Sequence, residues 1–434
     1  MRRLLPLLIA AIVPLACDSG GGDEPEPPRP APPPAITRAE LAEHLAALQQ
    51  IADRNGGTRA AGTPGYDASA GYVAARLRDA GWRVERQPLP FAFFRLRSAS
   101  LSIDGRRLTR ADDFQVLSYS GSGRAAGRLH AAGLGCAPGD FSGLQSGEIP
   151  LVDRGQCFFR DKAAAAERAG ARAVVVVEPV LSTRGVPSGT LAVPGVRIPV
   201  VVVSRRALGS AGDGSAASVS VDAVTRRGRT ENVIADTPGG SGERIVMAGG
   251  HLDSVAGGPG IDDNGSGAAT LIETAEAIGP DPPGARVRLA FWGAEELGLV
   301  GSRHYVKSLD ASERRRIRAY INIDMVGSPN AVPALYGDGA PELAAVLRRA
   351  AGSPRLRSVT ADSASDHAPF RDAGIPVNGL FTGATERGPG GRARDACYHL
   401  ACDRLRNVDP DVLVRMARTT ARAVEALAAR PQAK

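Results

Sequence analysis

Residues 245–296 read IVMAGGHLDSVAGGPGIDDNGSGAATLIETAEAIGPDPPGARVRLAFWGAEE. The apolar run 245–249 has the length and content of a buried strand. Over 266–278, Ala268, Leu271, Ile272, Ala275 and Ile278 recur at helical spacing and fall on one face. A Pro- and Gly-rich break follows, then a second apolar run over 286–292. Strand, helix and strand in succession predict an α/β fold.

The same texture continues downstream. Helices are expected over 297–309, 342–351 and 411–428, and strands over 320–326 and 377–381. Upstream, Thr37 with Glu40 three residues on forms a capping box, and Leu41, Leu45, Leu48 and Ile51 then share a helical face. A Gly-rich loop over 55–65 precedes a second helix, 67–80, stopped by Gly81. From about 95 to 225 the chain changes to short strands and Gly-rich turns. One β-α-β unit stands out there, 148–152, 160–169 and 173–177, with a further strand over 198–204. We read 37–94 and 226–430 as one α/β domain, and 95–225 as a β-rich domain inserted into it.

The 434 residues are 43% apolar and 23% charged, enough for a sizeable core and too apolar for a disordered chain. The net charge of +7 carries little weight. Only Lys162, Lys307 and Lys434 among 53 basic residues are lysines, and such arginine- and alanine-rich usage reflects a GC-rich genome. The densest basic run, 314–318, reads as a solvated helix. No basic patch is interleaved with aromatics, which argues against nucleic acid as a partner. No run of about 18 apolar residues is available for a membrane span.

Residues 1–17 read as an export signal. Arg2 and Arg3 precede an apolar stretch over 4–16, and Ala16-Cys17 is similar to a bacterial lipobox. Pro14 stands where a lipobox has an aliphatic residue, so two outcomes are open: acylation of Cys17, or an ordinary signal peptide cleaved nearby. Residues 18–36 are rich in Gly, Pro and acids and fit a disordered tether to a lipid anchor. The expected location is the cell envelope, through that anchor, or the secreted fraction. Export also bears on the other cysteines. Cys136, Cys157, Cys397 and Cys402 form two sequence-local pairs, so disulfides Cys136–Cys157 and Cys397–Cys402 are expected.

The residues able to carry chemistry sit just after strands of the α/β domain, where open sheets place their ligand crevices. In His251-Leu252-Asp253, side chains two apart point the same way, so Asp253 is expected to accept from the imidazole and hold it as a ligand. Alone, such a pair is commonly structural. In GIDDNGSG, 260–267, adjacent carboxylates occupy a turn, which is costly unless a cation compensates them. Glu295 and Glu296 end the 286–292 strand and diverge as neighbours: one can hold a metal while the other faces substrate as a base. Asp324 is expected late in an apolar strand, expensive there without a partner. His399 lies in the short loop between Cys397 and Cys402. His, Asp, Glu, Asp and His at separate strand ends form a set far more specific than its parts. Oxygen and nitrogen donors without thiolate suit zinc. His44, His130, His304, His367, Phe291 and Trp292 read as structural.

The segments HLDSV, GIDDNGSG, FWGAEELGLVGS, INIDMVGSPN, SDHAPF, PVNGLFTGA and CYHLACD, in this order, resemble the secreted bacterial two-zinc aminopeptidases, leucine-type metallopeptidases with a co-catalytic zinc pair. The resemblance spans about 37–90 and 231–428. Residues 135–179, from GCAPGDF to AVVVVEP, resemble a protease-associated domain. The resemblance implies a mixed central sheet flanked by helices and two zinc ions per chain. It makes Asp263 the bridging carboxylate, with His251 and Asp324 completing one site and Glu296 and His399 the other. It makes Glu295 the general base for a zinc-activated water that cleaves the N-terminal peptide bond, and Tyr398 the phenol that stabilises the oxyanion. It also implies a cis Asp263–Asn264 peptide and peptide substrates with a free N-terminus. It names no partner for the inserted domain.

Rival readings share the scaffold. A carboxypeptidase or dipeptidase would use the same chemistry, and a glutaminyl-cyclase-type relative would hold one zinc. A receptor-like binding module would have lost ligands, yet all five ligand positions and Glu295 are present. One position departs from the family: an arginine commonly precedes SDHAPF, and here it is Ala364. An arginine of the Gly-rich loop, Arg387, Arg392 or Arg394, is expected to take over its contact with substrate.

Overall fold

Thr37 and Glu40 cap each other, so the first helix, Arg38–Arg54, begins where the capping box expects. The second, Pro64–Asp79, begins earlier than expected, because Thr63 caps it and Pro64 suits a first turn. A computed structural model of the chain describes residues 36–179, 184–336, 340–353, 356–359, 365–384, 386–388 and 391–430. The leader, Cys17, the tether up to residue 35 and Ala364 lie outside the described residues. Among these residues no helix is long and apolar enough to cross a membrane.

The α/β domain is built on a mixed sheet. Ser241–His251 lies at its centre, parallel to Ala285–Trp292 on one side and to Ile317–Ile323 on the other. Val377–Phe381 extends it in parallel and Ala334–Tyr336 antiparallel. Helices Arg38–Arg54, Pro64–Asp79, Gly267–Ile278 and Pro410–Ala428 cover one face through a core that includes Leu48, Val73, Leu271 and Val424. The other face buries Trp292, Tyr320 and Phe370 beneath Val300–Ser308 and His367–Asp372. Phe291 and Trp292, one residue apart, serve the two opposite cores, as strand alternation requires. His44 is buried between Tyr72 and Glu273.

The inserted region joins through a ribbon longer than the sequence pattern shows. Arg83–Ile103 and Ala216–Asp236, each 21 residues, pair antiparallel along nearly their whole length. The boundaries read at 94/95 and 225/226 cross this ribbon at one level, where Phe94 pairs with Thr225 and both strands continue. Composition shifts there, but backbone hydrogen bonding takes no account of composition. Within the insert, Gly123–Ala131, Ile149–Asp153, Val174–Glu178 and Val200–Ser204 lie parallel in that order. Helix Phe159–Arg168 makes the crossover, so the expected β-α-β unit is present with one-residue shifts. Cys136 bonds to Cys157 (2.06 Å) and Cys397 to Cys402 (2.15 Å).

Candidate active site

Loops from the three central parallel strands converge at their C-terminal ends. His251 is the last residue of Ser241–His251. Asp263 lies in the irregular turn Ile261–Ser266, with a cis Asp263–Asn264 peptide. Glu295 and Glu296 follow Ala285–Trp292. Asp324 stands just past Ile317–Ile323, not within the strand as expected. The Asn264 amide donates to Ile323 O (2.8 Å) and accepts from Met325 N (3.2 Å), and so ends the strand. Tyr398 and His399 sit in the disulfide loop, their rings stacked at 3.8 Å. Ala294, Met325 and His399 have φ of 58°, 48° and 57°, a region that costs a non-glycine residue energy and recurs at functional sites.

The five donors meet as two clusters that share one carboxylate. Asp263 Oδ1 is 3.2 Å from His251 Nε2, and Asp324 Oδ1 is 3.4 Å from the same nitrogen. Asp263 Oδ2 is 3.1 Å from His399 Nε2, and Glu296 Oε2 is also 3.1 Å from it. In each trio the ligand-capable atoms lie within 4.8 Å of one another. Asp263 Oδ2, Asp324 Oδ1 and Glu296 Oε1 are buried without a hydrogen bond. Buried carboxylate oxygens left so are costly unless a cation supplies what they lack. Burial alone would raise Asp263, yet His251 and His399 hold it below the usual carboxylate range. Burial alone would lower His251, yet Glu295 and Asp324 hold it well above the usual imidazole range. The donor set therefore fits zinc ions in both chemistry and charge.

Asp253 does a different job from the one expected. His251 Nδ1 donates to the Asp253 backbone carbonyl at 3.0 Å, while the carboxylate stands 3.8 Å away. That carboxylate accepts from the backbone N–H of Glu295 (3.0 Å) and of Glu296 (3.4 Å). It thus holds the turn that carries both glutamates. Burial pushes Glu295 well above the usual carboxylate range, opposed by His251 and reinforced by Glu296.

Four supporting residues escaped the sequence reading. Arg59, fully buried, donates to the carbonyls of Leu252, Pro259 (2.8 Å) and Gly260 (2.6 Å), tying the His251 loop to the Asp263 loop. Burial lowers its guanidinium to about 10, against the pull of Asp253, Asp403 and Asp263. Asp403 accepts from the backbone of Asp262 (2.9 Å) and Asp263 (3.0 Å). Ser365 donates to Asp324 Oδ2 at 2.7 Å. His399 Nδ1 donates to the carbonyl of Ser188, from the inserted region, at 2.8 Å. Asp403 and Ser365 at least lay within the quoted CYHLACD and SDHAPF segments; nothing in the sequence marked Arg59 or Ser188.

The site opens into a cleft of about 1390 Å³ lined by both the α/β domain and the insert. Arg387, Arg392 and Arg394 do not line it among the described residues. Arg394 instead donates to Asn330 O at 3.2 Å and lies near Glu386. Of the three loop arginines expected to contact substrate, Arg394 is thus engaged by Asn330, and none is among the described residues that line the cleft.

The donors at the C-terminal ends of the sheet's central strands form groups able to hold metal ions. Residues 232–424 match the model of peptidase family M28, and 125–210 match the PA domain. The chain is 36% identical over 423 residues to an aminopeptidase of Pseudomonas aeruginosa, covering 88% of this chain and 79% of that protein. It is 37% identical over 417 residues to a probable lipoprotein aminopeptidase of Mycobacterium tuberculosis, covering 87% and 82%. In structure it is similar to a zinc aminopeptidase from Bacillus subtilis, with a TM-score of 0.73 at 28% identity, covering 94% of this chain and 98% of that one. The chain belongs to peptidase family M28 and carries a PA domain.

Proposed function

We propose that this M28 peptidase is an exported zinc aminopeptidase that holds two zinc ions and uses Glu295 as general base. One observation carries the reading: the two oxygens of Asp263 face two separate His and carboxylate clusters. In this assignment His251, Asp263 and Asp324 hold one ion, and Asp263, Glu296 and His399 the other. Residues 37–94 and 226–430 form the peptidase domain, and 95–225 the PA domain. The names of its relatives support removal of N-terminal residues from peptides.

Zinc supplies Lewis acidity, lowering the pKa of water and polarising a carbonyl. Glu295 holds no ion in this assignment. It takes a proton from the attacking water and returns it to the leaving amine as the C–N bond breaks. Tyr398, stacked on His399, donates a hydrogen bond to the oxyanion. The free α-amine of the substrate sits against Glu295 and Asp324. For export and lipid anchoring, support comes from the leader ending in Cys17, the two disulfides and the lipoprotein relative.

The test is a scan of aminoacyl-4-nitroanilides beside N-acetylated controls, with zinc counted per chain by elemental analysis. An aminopeptidase cleaves only the free-amine series. Cleavage of N-acetylated peptides from the other end would support a carboxypeptidase instead, and a single zinc per chain would remove the shared role of Asp263.

A further inference from the structure

Away from the metal site, the cleft is basic. Among its described lining residues, the acids are Asp253, Asp263, Glu295, Glu296 and Asp324 at the donor clusters, plus Glu386, which is paired with Arg357. Arg95, Arg110, Arg226 and Arg303 also line it, and all four are exposed with no ion pair among the described residues. Three of them come from the insert or its ribbon, and Arg303 comes from helix Val300–Ser308 of the α/β domain. Arg226 packs over the Phe93 ring at 5.0 Å, which steadies its guanidinium without neutralising it. Arginines left unpaired around one concavity form a field that attracts anions, and each guanidinium fork fits a carboxylate through two hydrogen bonds.

We propose that these arginines bind a carboxylate on the leaving portion of the substrate, so that the enzyme favours short peptides bearing an anionic group beyond the scissile bond. The inference rests on the aminopeptidase reading. If one residue is removed from the N-terminus and its amine lies against Glu295 and Asp324, only that residue occupies the deep end. The rest of the peptide must then run outward along the arginine-bearing walls. The cleft exceeds the roughly 300–1,000 Å³ of ordinary small-ligand pockets, leaving room for several residues. The carboxylate has two possible sources, the peptide's C-terminus or an Asp or Glu side chain. The insert and its ribbon thereby supply most of this charge, while the α/β domain supplies the chemistry.

The experiment compares kcat/KM of the intact, zinc-loaded protein on Leu-Gly-Gly-Asp-amide, Leu-Gly-Gly-Asn-amide and Leu-Gly-Gly-Lys-amide, and on Leu-Gly-Gly as free acid and amide. Leucine-4-nitroanilide, which has no carboxylate, reports the basic activity. At low ionic strength the Asp peptide is expected to exceed the Asn peptide by about tenfold, with the Lys peptide slowest, and high salt should compress the ratio. A gain confined to the free acid over the amide assigns the C-terminus as the source; a gain for the Asp amide assigns the side chain. The double variant Arg110→Gln/Arg226→Gln should lower the ratio, Arg226→Glu should lower it to a similar degree, and Arg226→Lys should keep part of it. If leucine-4-nitroanilide is cleaved but neither anionic peptide is favoured, this inference falls and the aminopeptidase reading stands. If the preference exists and survives all three variants and Arg95→Gln/Arg303→Gln as well, these arginines are not its cause. If leucine-4-nitroanilide is not cleaved at all, the aminopeptidase reading fails, and this inference with it.

Discussion

Truncation of Asp253 tests how the turn that carries Glu295 and Glu296 is held. The side chain is fully buried and accepts from two backbone N–H groups, those of Glu295 at 3.0 Å and Glu296 at 3.4 Å. In Asp253→Ala both donors lose their partner in a buried setting. Leaving a buried donor without its partner costs about 1–3 kcal/mol, and the longer bond adds less, so the expected loss is about 2–4 kcal/mol. That is a large share of a typical domain stability of about 5–15 kcal/mol. The effect on function follows from what the two N–H groups carry, namely the proposed base and a proposed ligand. Residues that orient metal ligands typically contribute about 10–100-fold to affinity or activity, and the same range is expected here for zinc affinity and kcat/KM. Asp253→Asn should fall between. Its carbonyl can still accept from Glu295, but its amide group cannot accept from Glu296. The assays are thermal unfolding of zinc-free protein, which separates this loss from zinc linkage, zinc titration against a competing chelator, and kcat/KM on leucine-4-nitroanilide. Should Asp253→Ala match wild type in zinc affinity and turnover, the carboxylate does not hold the turn.

Other outcomes follow from the same geometry. Dialysis against a chelator should abolish hydrolysis and added zinc should restore it; full activity in metal-free protein would contradict the whole assignment. Glu295→Gln is nearly isosteric and removes no proposed ligand, so zinc content should persist while kcat falls about 10²–10⁴-fold, the usual worth of a general base. Asp263→Asn should weaken both ions, because its two oxygens serve both clusters; loss of only one ion per chain would show that it does not bridge. Mass spectrometry of unreduced peptides should recover Cys397 linked to Cys402. Replacing both cysteines by serine should reduce zinc affinity through the freed His399 loop, and unchanged affinity would show that the loop is held by other contacts.

The arrangement of strands and helices in the α/β domain was legible in the sequence because it is written locally. Apolar runs such as 286–292, the helical stripe from Ala268 to Ile278 and the Thr37 capping box each act within one element. The observed Ala285–Trp292, Gly267–Ile278 and Arg38–Arg54 follow them closely. His251, Glu296 and Asp324 were legible for a related reason: polar residues at the ends of apolar strands emerge at the C-terminal end of the sheet, and their types restrict the chemistry. What the sequence could not show lies in contacts between distant residues. Arg59 reaches carbonyls about two hundred positions away, and Ser188 reaches His399 across 211. Both bonds use backbone carbonyls, which every residue has, so no residue type announces them. The two long ribbon strands outlast their own composition because each is the other's hydrogen-bonding partner. Asp253 shows the limit most plainly: its spacing from His251 allowed either partner, and only the close approach of the Glu295 turn decided between them. The basic lining of the cleft is likewise a tertiary property, since Arg95, Arg110, Arg226 and Arg303 share no motif and meet only because the ribbon folds the insert over the site.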